Sequence, residues 1–104
     1  MKKKGIPKLI VKDKMVLQLY ISGMSPKSME SIENIKRLCD EYLKDNYDLE
    51  IIDILKQPLR ALVDGVLVTP TLAKVSPQPA TRVVGNLSER SNVLLALGLT
   101  DKMP

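Results

Sequence analysis

A chain of 104 residues, 44% hydrophobic and 27% charged, is expected to form one globular domain with a modest core. Only 3% is aromatic, from Tyr20, Tyr42 and Tyr47, so the core is aliphatic and recognition by stacked bases is poorly supplied. The net charge of +4 sits in a tail: Lys2, Lys3, Lys4, Lys8, Lys12 and Lys14 against Asp13 give +5, which leaves −1 for residues 15–104 and argues against a nucleic-acid-binding face.

Residues 1–14 therefore read as a basic, flexible N-terminal arm, solvated and without a phosphate-binding role, ahead of a domain over 15–104. The Lys run is followed by "IPKLIVKDK", which has neither the apolar stretch nor the cleavage site of a signal peptide. No segment approaches the roughly 18 apolar residues of a membrane span, so no membrane contact and a cytoplasmic location are expected.

"MVLQLYI" (15–21) is short and apolar and ends at Ser22-Gly23, as a central strand does. A helix follows in "MSPKSMESIENIKRLCDEYLKDN", with Ser25 as cap and Pro26 in the first turn. Met29, Ile32, Ile35, Leu38, Cys39 and Tyr42 form its expected core face, with Glu33–Arg37 and Arg37–Glu41 as exposed pairs. "YDLEIIDIL" (47–55) is a second strand, so a strand, helix and strand unit with parallel strands is expected. "PLRALVDG" fits a short helix from Pro58 to Gly65, although its all-round apolar character also permits other structure. "TLAKV" and "TRVV", joined by "SPQPA", suggest an antiparallel hairpin, and Ser88 is the expected cap of a last helix, "ERSNVLLAL", closed by Gly98.

The order is a βαβ unit followed by ββα, an α/β layout of the thioredoxin-like type. In that layout Pro70, within "VLVTPTLAKV", begins the third strand as a cis-proline; a trans proline at a sheet edge is the alternative.

Chemistry is scarce. Thioredoxin-like enzymes place a cysteine at the start of the first helix, where this chain has Met24, Ser25, Pro26 and Lys27. Cys39 is the single cysteine and falls in the helix's core row, as a small buried hydrophobe. With no histidine there is no Ser-His or Cys-His nucleophile and no common metal ligand set. Asp53 near a strand end fits a loop-bonded carboxylate better than a base, and the glycines mark element ends without building a phosphate loop. No catalytic, metal or cofactor site is expected, which leaves binding as the default. Lys74 and Arg82 on facing strands, with Lys56 closing the second strand, suggest a basic patch.

"LQLYISGMSPKS", "LEIIDILKQP", "LVTPTLAKVSPQPATRVVGNLSER" and "VLLALGL" resemble, without gaps over about residues 15–99, the KaiB family of small clock proteins. The resemblance implies a non-enzymatic regulator that binds a KaiC-type ATPase ring and modulates its phosphorylation and output. Lys74 and Arg82 then match basic residues tied to that binding. It also implies two arrangements, a thioredoxin-like monomer and a tetramer whose C-terminal half is rearranged, with Ala96 and Gly98 at positions that shift the balance. Further partners by likeness are KaiA, a histidine kinase and other copies of the chain. A KaiB homologue acting outside a clock, in stress adaptation, is the alternative, followed by a redox protein using Cys39. Gly65, Glu30 and Gln78 stand where familiar members carry lysine, arginine and proline.

Overall fold

In a computed structural model, which describes residues 14–85 and 87–99, the chain forms β1 (Met15–Ile21), α1 (Pro26–Tyr42), β2 (Tyr47–Asp53), α2 (Pro58–Asp64), β3 (Thr71–Ser76), β4 (Thr81–Val84) and α3 (Arg90–Leu97). The expected basic arm lies outside the described residues except for Lys14, which pairs with Asp48 at 3.3 Å.

The strands make one sheet in the order β2-β1-β3-β4. β1 runs parallel to β2, from Met15 opposite Tyr47 to Ile21 opposite Asp53, and antiparallel to β3, with Gln18 opposite Ala73 and Tyr20 opposite Thr71. β4 returns antiparallel to β3, pairing Ala73 with Arg82 and Lys74 with Thr81. Because side chains alternate along a strand, this register assigns each face. One face carries Leu17, Leu19 and Leu72, which join Ile35, Leu38 and Cys39 of α1 and Val93, Leu94 and Leu97 of α3 in the main core. The other carries Tyr20, Ile52 and Ala73, a small second cluster with Ile54 and Val66 against it.

Ser25 caps α1, accepting the Ser28 N–H at 3.2 Å, with Pro26 in the first turn. The helix ends at Tyr42, four residues short of the expected Asn46: the Leu43 N–H makes a last helical bond to the Cys39 carbonyl at 2.7 Å, and Lys44, at φ 53°, turns its N–H back to the same carbonyl at 3.0 Å. Ile32, Ile35, Leu38, Cys39 and Tyr42 of the expected core row pack in or against the main core, and Met29 does not. Ser28 and Ser31 are buried in its place, and the Ser31 hydroxyl is satisfied by the Ser28 carbonyl at 2.7 Å. Neither expected pair of Arg37 forms among the described residues: Arg37 donates to Asn34 at 3.4 Å and Glu41 pairs with Arg90.

α3 has Glu89, not Ser88, at its N-cap, with no side-chain cap bond. Gly98 ends it at φ 76°, its N–H returning to the Leu94 and Leu95 carbonyls. That left-handed conformation favours glycine, so Gly98→Ala is expected to destabilise this arrangement by about 1 kcal/mol in urea denaturation. The Ala96 carbonyl accepts the Thr81 hydroxyl at 2.7 Å, tying α3 to β4. The Thr69–Pro70 bond is cis, and Pro70 leads directly into β3.

Candidate functional site

Cys39 lies in the main core with no exposed surface, and burial, with the neighbouring Asp40 charge adding to it, pushes its thiol up to about 11. A thiol of that kind is a poor nucleophile at neutral pH. Alkylation by iodoacetamide should be at least about 100-fold slower in the native protein than in urea. Native labelling as fast as unfolded labelling would reopen a thiol chemistry.

Asp53 also has a structural occupation. Its Oδ1 accepts the Gly23 N–H at 2.9 Å and the Leu55 N–H at 3.0 Å, which bridges the loops after β1 and β2. Those two bonds hold its carboxyl below the usual range. A depressed carboxyl contributes stability above its unfolded value of about 4 and loses it as pH falls through the folded one. Asp53→Ala is therefore expected to cost stability at pH 7, a difference that disappears in urea titrations repeated at strongly acid pH. Among the described residues, no group of three or more Cys, Asp or Glu side chains could hold a metal ion.

What the structure offers instead is a helix turned inside out. α2 is seven residues long and buries only Ala61, while Leu59, Leu62 and Val63 point to solvent, Leu62 with 74% of its surface free. Leu55 before the helix and Leu67 and Val68 after it are exposed too, Leu67 at 92%. Scattered exposed apolar residues are ordinary, but a cluster contributed by one helix and its two flanks is the mark of an interaction surface.

Polar side chains hold this helix to the sheet. Arg60 forks onto Glu50 of β2, with both bonds at 2.7 Å, and keeps that carboxylate below its ordinary range. The Tyr20 hydroxyl of β1 donates to Asp64 Oδ2 at 2.5 Å. Arg82 of β4 donates to the main-chain carbonyls of Asp64 and Gly65, the latter at 3.1 Å. Gly65 turns at φ 69°, its N–H bonding the Ala61 and Leu62 carbonyls.

Of the three basic residues singled out in the sequence, Lys74 and Arg82 line one hollow with Gln18, Tyr20 and Asp64, whereas Lys56 stands apart from it. Lys74 pairs across the sheet with Leu17 and Thr81 and is 5% exposed, whereas Arg82 pairs with Ala73. Lys74 is largely buried, and no hydrogen bond or ion pair joins its ammonium to another described residue. Lys56 is exposed in the turn after β2, at the opposite edge of the sheet from β4. The outward apolar residues of α2 were not singled out as a site, although Leu59, Leu62 and Val63 at helical spacing opposite Arg60 and Asp64 were their signal.

A sequence model of the KaiB domain matches residues 18–99. The circadian clock protein KaiB3 of Synechocystis is 47% identical over 87 residues, which cover 84% of this chain and 85% of that one. The circadian clock oscillator protein KaiB of Prochlorococcus marinus subsp. pastoris is 41% identical over 91 residues, 88% and 85% of the two chains. Among solved structures, the N-terminal domain of Synechococcus elongatus SasA is similar with a TM-score of 0.69 at 20% identity, over 88% of this chain and 90% of that one. Mitochondrial thioredoxin 3 of Saccharomyces cerevisiae has a TM-score of 0.66 at 12% identity, over 88% and 83%. These two likenesses establish a thioredoxin-like fold.

Proposed function

The chain belongs to the KaiB family, and from that premise we propose that it is a non-enzymatic regulatory protein that docks the outward face of α2 on a KaiC-type ATPase ring and modulates its phosphorylation and output. The observation that supports this most directly is the inverted helix: its apolar residues face solvent while its polar ones hold the scaffold. A chain that placed leucines outward without a partner would lose their burial energy and gain an aggregation hazard. The buried Cys39 and the engaged Asp53 add nothing that turns over a substrate.

On this reading the partner is a cytoplasmic protein, and among the described residues no helix is long and apolar enough to cross a membrane. Lys56 and Arg82, both exposed, flank α2 in sequence and in space respectively, so rim charge accompanies the apolar centre. Mixing the chain with the KaiC-type ATPase of its own organism and ATP, then separating by size exclusion, should give a larger complex containing both. No complex at tens of micromolar after about a day would end the proposal.

A further inference from the structure

A seven-residue helix cannot sustain itself in water, and α2 lacks the usual supports. Gln57 at its N-cap makes no side-chain cap bond, and the single buried residue, Ala61, brings only a methyl group to the packing. Its position on the sheet is thus set by three side-chain attachments, Glu50 to Arg60 from β2, Tyr20 to Asp64 from β1, and Arg82 from β4. The third differs in kind, because a guanidinium meets main-chain carbonyls at the helix C-terminus, where unpaired acceptors and the negative end of the helix dipole both favour a cation.

We infer that Arg82 is a positioning residue that clamps the C-terminus of α2 and the turn at Gly65, and so sets the apolar face for docking, instead of presenting its charge to the partner. The inference rests on the docking reading for its functional consequence, but the clamp itself does not. Two of its five donors' worth of hydrogen-bonding capacity is already committed within the chain, and its fork spans adjacent carbonyls that a single ammonium could not bridge equally well. Asp64 is held at the same point through its side chain by Tyr20, so the main chain and the side chain of one residue are fixed from β4 and β1 together.

Two amides report on the clamp directly. The Gly65 N–H bonds the Leu62 carbonyl at 3.1 Å and the Val66 N–H bonds the Ala61 carbonyl at 2.9 Å, so both exchange slowly only while the helix end is formed. Amide exchange by NMR on the full chain should show Gly65 and Val66 exchanging roughly tenfold faster in Arg82→Ala, with the amides of β1 and β3 unchanged and Arg82→Lys in between. Binding to the ATPase should weaken in the same order and by a similar factor at about 50 and about 500 mM salt. Unchanged exchange at Gly65 and Val66, or an equal rise across β1 and β3, would overturn the clamp. A loss of affinity that vanishes at high salt, with exchange unaltered, would assign Arg82 to the partner instead. If the wild-type chain forms no complex, the docking reading fails while the amide measurement still decides the clamp.

Discussion

Leu62→Asp should weaken complex formation with the ATPase by at least about 100-fold while leaving the stability of the free chain within about 0.5 kcal/mol of the wild type. The two halves of this expectation come from one fact. Leu62 has 74% of its surface in water, so aspartate there removes almost no internal contact and leaves a carboxylate solvated in the free protein. In a docked complex the same carboxylate would be driven into an apolar surface without a partner, at a cost of several kcal/mol. Isothermal titration with the wild type, Leu62→Asp and the distant control Glu33→Ala separates the outcomes. Equal affinity for all three would remove α2 from the interface, and a variant with a collapsed unfolding midpoint would show that the helix packs more tightly than its exposure states.

Much of this arrangement was legible in the residues. β1, α2, β3 and β4 fall where breakers and apolar runs placed them, since Gly23, Pro58, Gly65 and the prolines around residue 78 stop or start the chain for local reasons. The parallel pairing of β1 and β2 follows from the helix between them. Local signals placed Ile32, Ile35, Leu38, Cys39 and Tyr42 of α1 on the core side but were less able to fix its first turns, where Ser28 and Ser31 are buried and Met29 is not. Periodicity locates a stripe to within about one residue, and the depth available beneath it, set by the sheet, decides whether a serine or a methionine occupies the centre. The same limit applies to Lys74 and Arg82, one almost wholly buried and the other exposed, because alternation gives each residue a face only once the register is known, and register is a long-range property. Nor could Arg90 be matched to Glu41 from spacing, since they lie 49 positions apart in sequence.

The α2 surface draws these points together. Its apolar residues Leu59, Leu62 and Val63 recur at helical spacing on one face, and that face stays outward because the opposite one is anchored by polar side chains. Such a helix is held by geometry more than by burial, which suits a surface that must be ordered before it meets a partner and cannot rely on its own core to become so.

Tyr20 carries the other large effect. It is 1% exposed, its ring lies with Ile52 and Ala73 in the small cluster on the α2 face, and its hydroxyl sits 2.5 Å from Asp64 and 2.9 Å from the Gln18 side-chain oxygen. Tyr20→Ala should cost about 3–5 kcal/mol, because so small a cluster has little with which to refill the space of a ring. Against a typical total of about 5–15 kcal/mol, that is a large share of the domain's stability, which a lowered urea midpoint will show. Tyr20→Phe keeps the ring and isolates the hydroxyl, with an expected loss of about 1–2 kcal/mol and faster amide exchange at Gly65. The hydroxyl has a second signature. Burial, followed by the Asp64 hydrogen bond and charge, raises its pKa to about 12, so folding favours the protonated phenol. Stability from this group is complete below the unfolded value of about 10 and declines as pH rises toward 12. Tyr47, raised to about 12 chiefly by its hydrogen bond to Asp40, titrates in the same window and is present in both proteins. The gap between wild type and Tyr20→Phe should therefore narrow between pH 10 and 12. A gap that stays constant through that window would mean that the phenol does not hold Asp64, and that α2 rests on Arg60 and Arg82 alone.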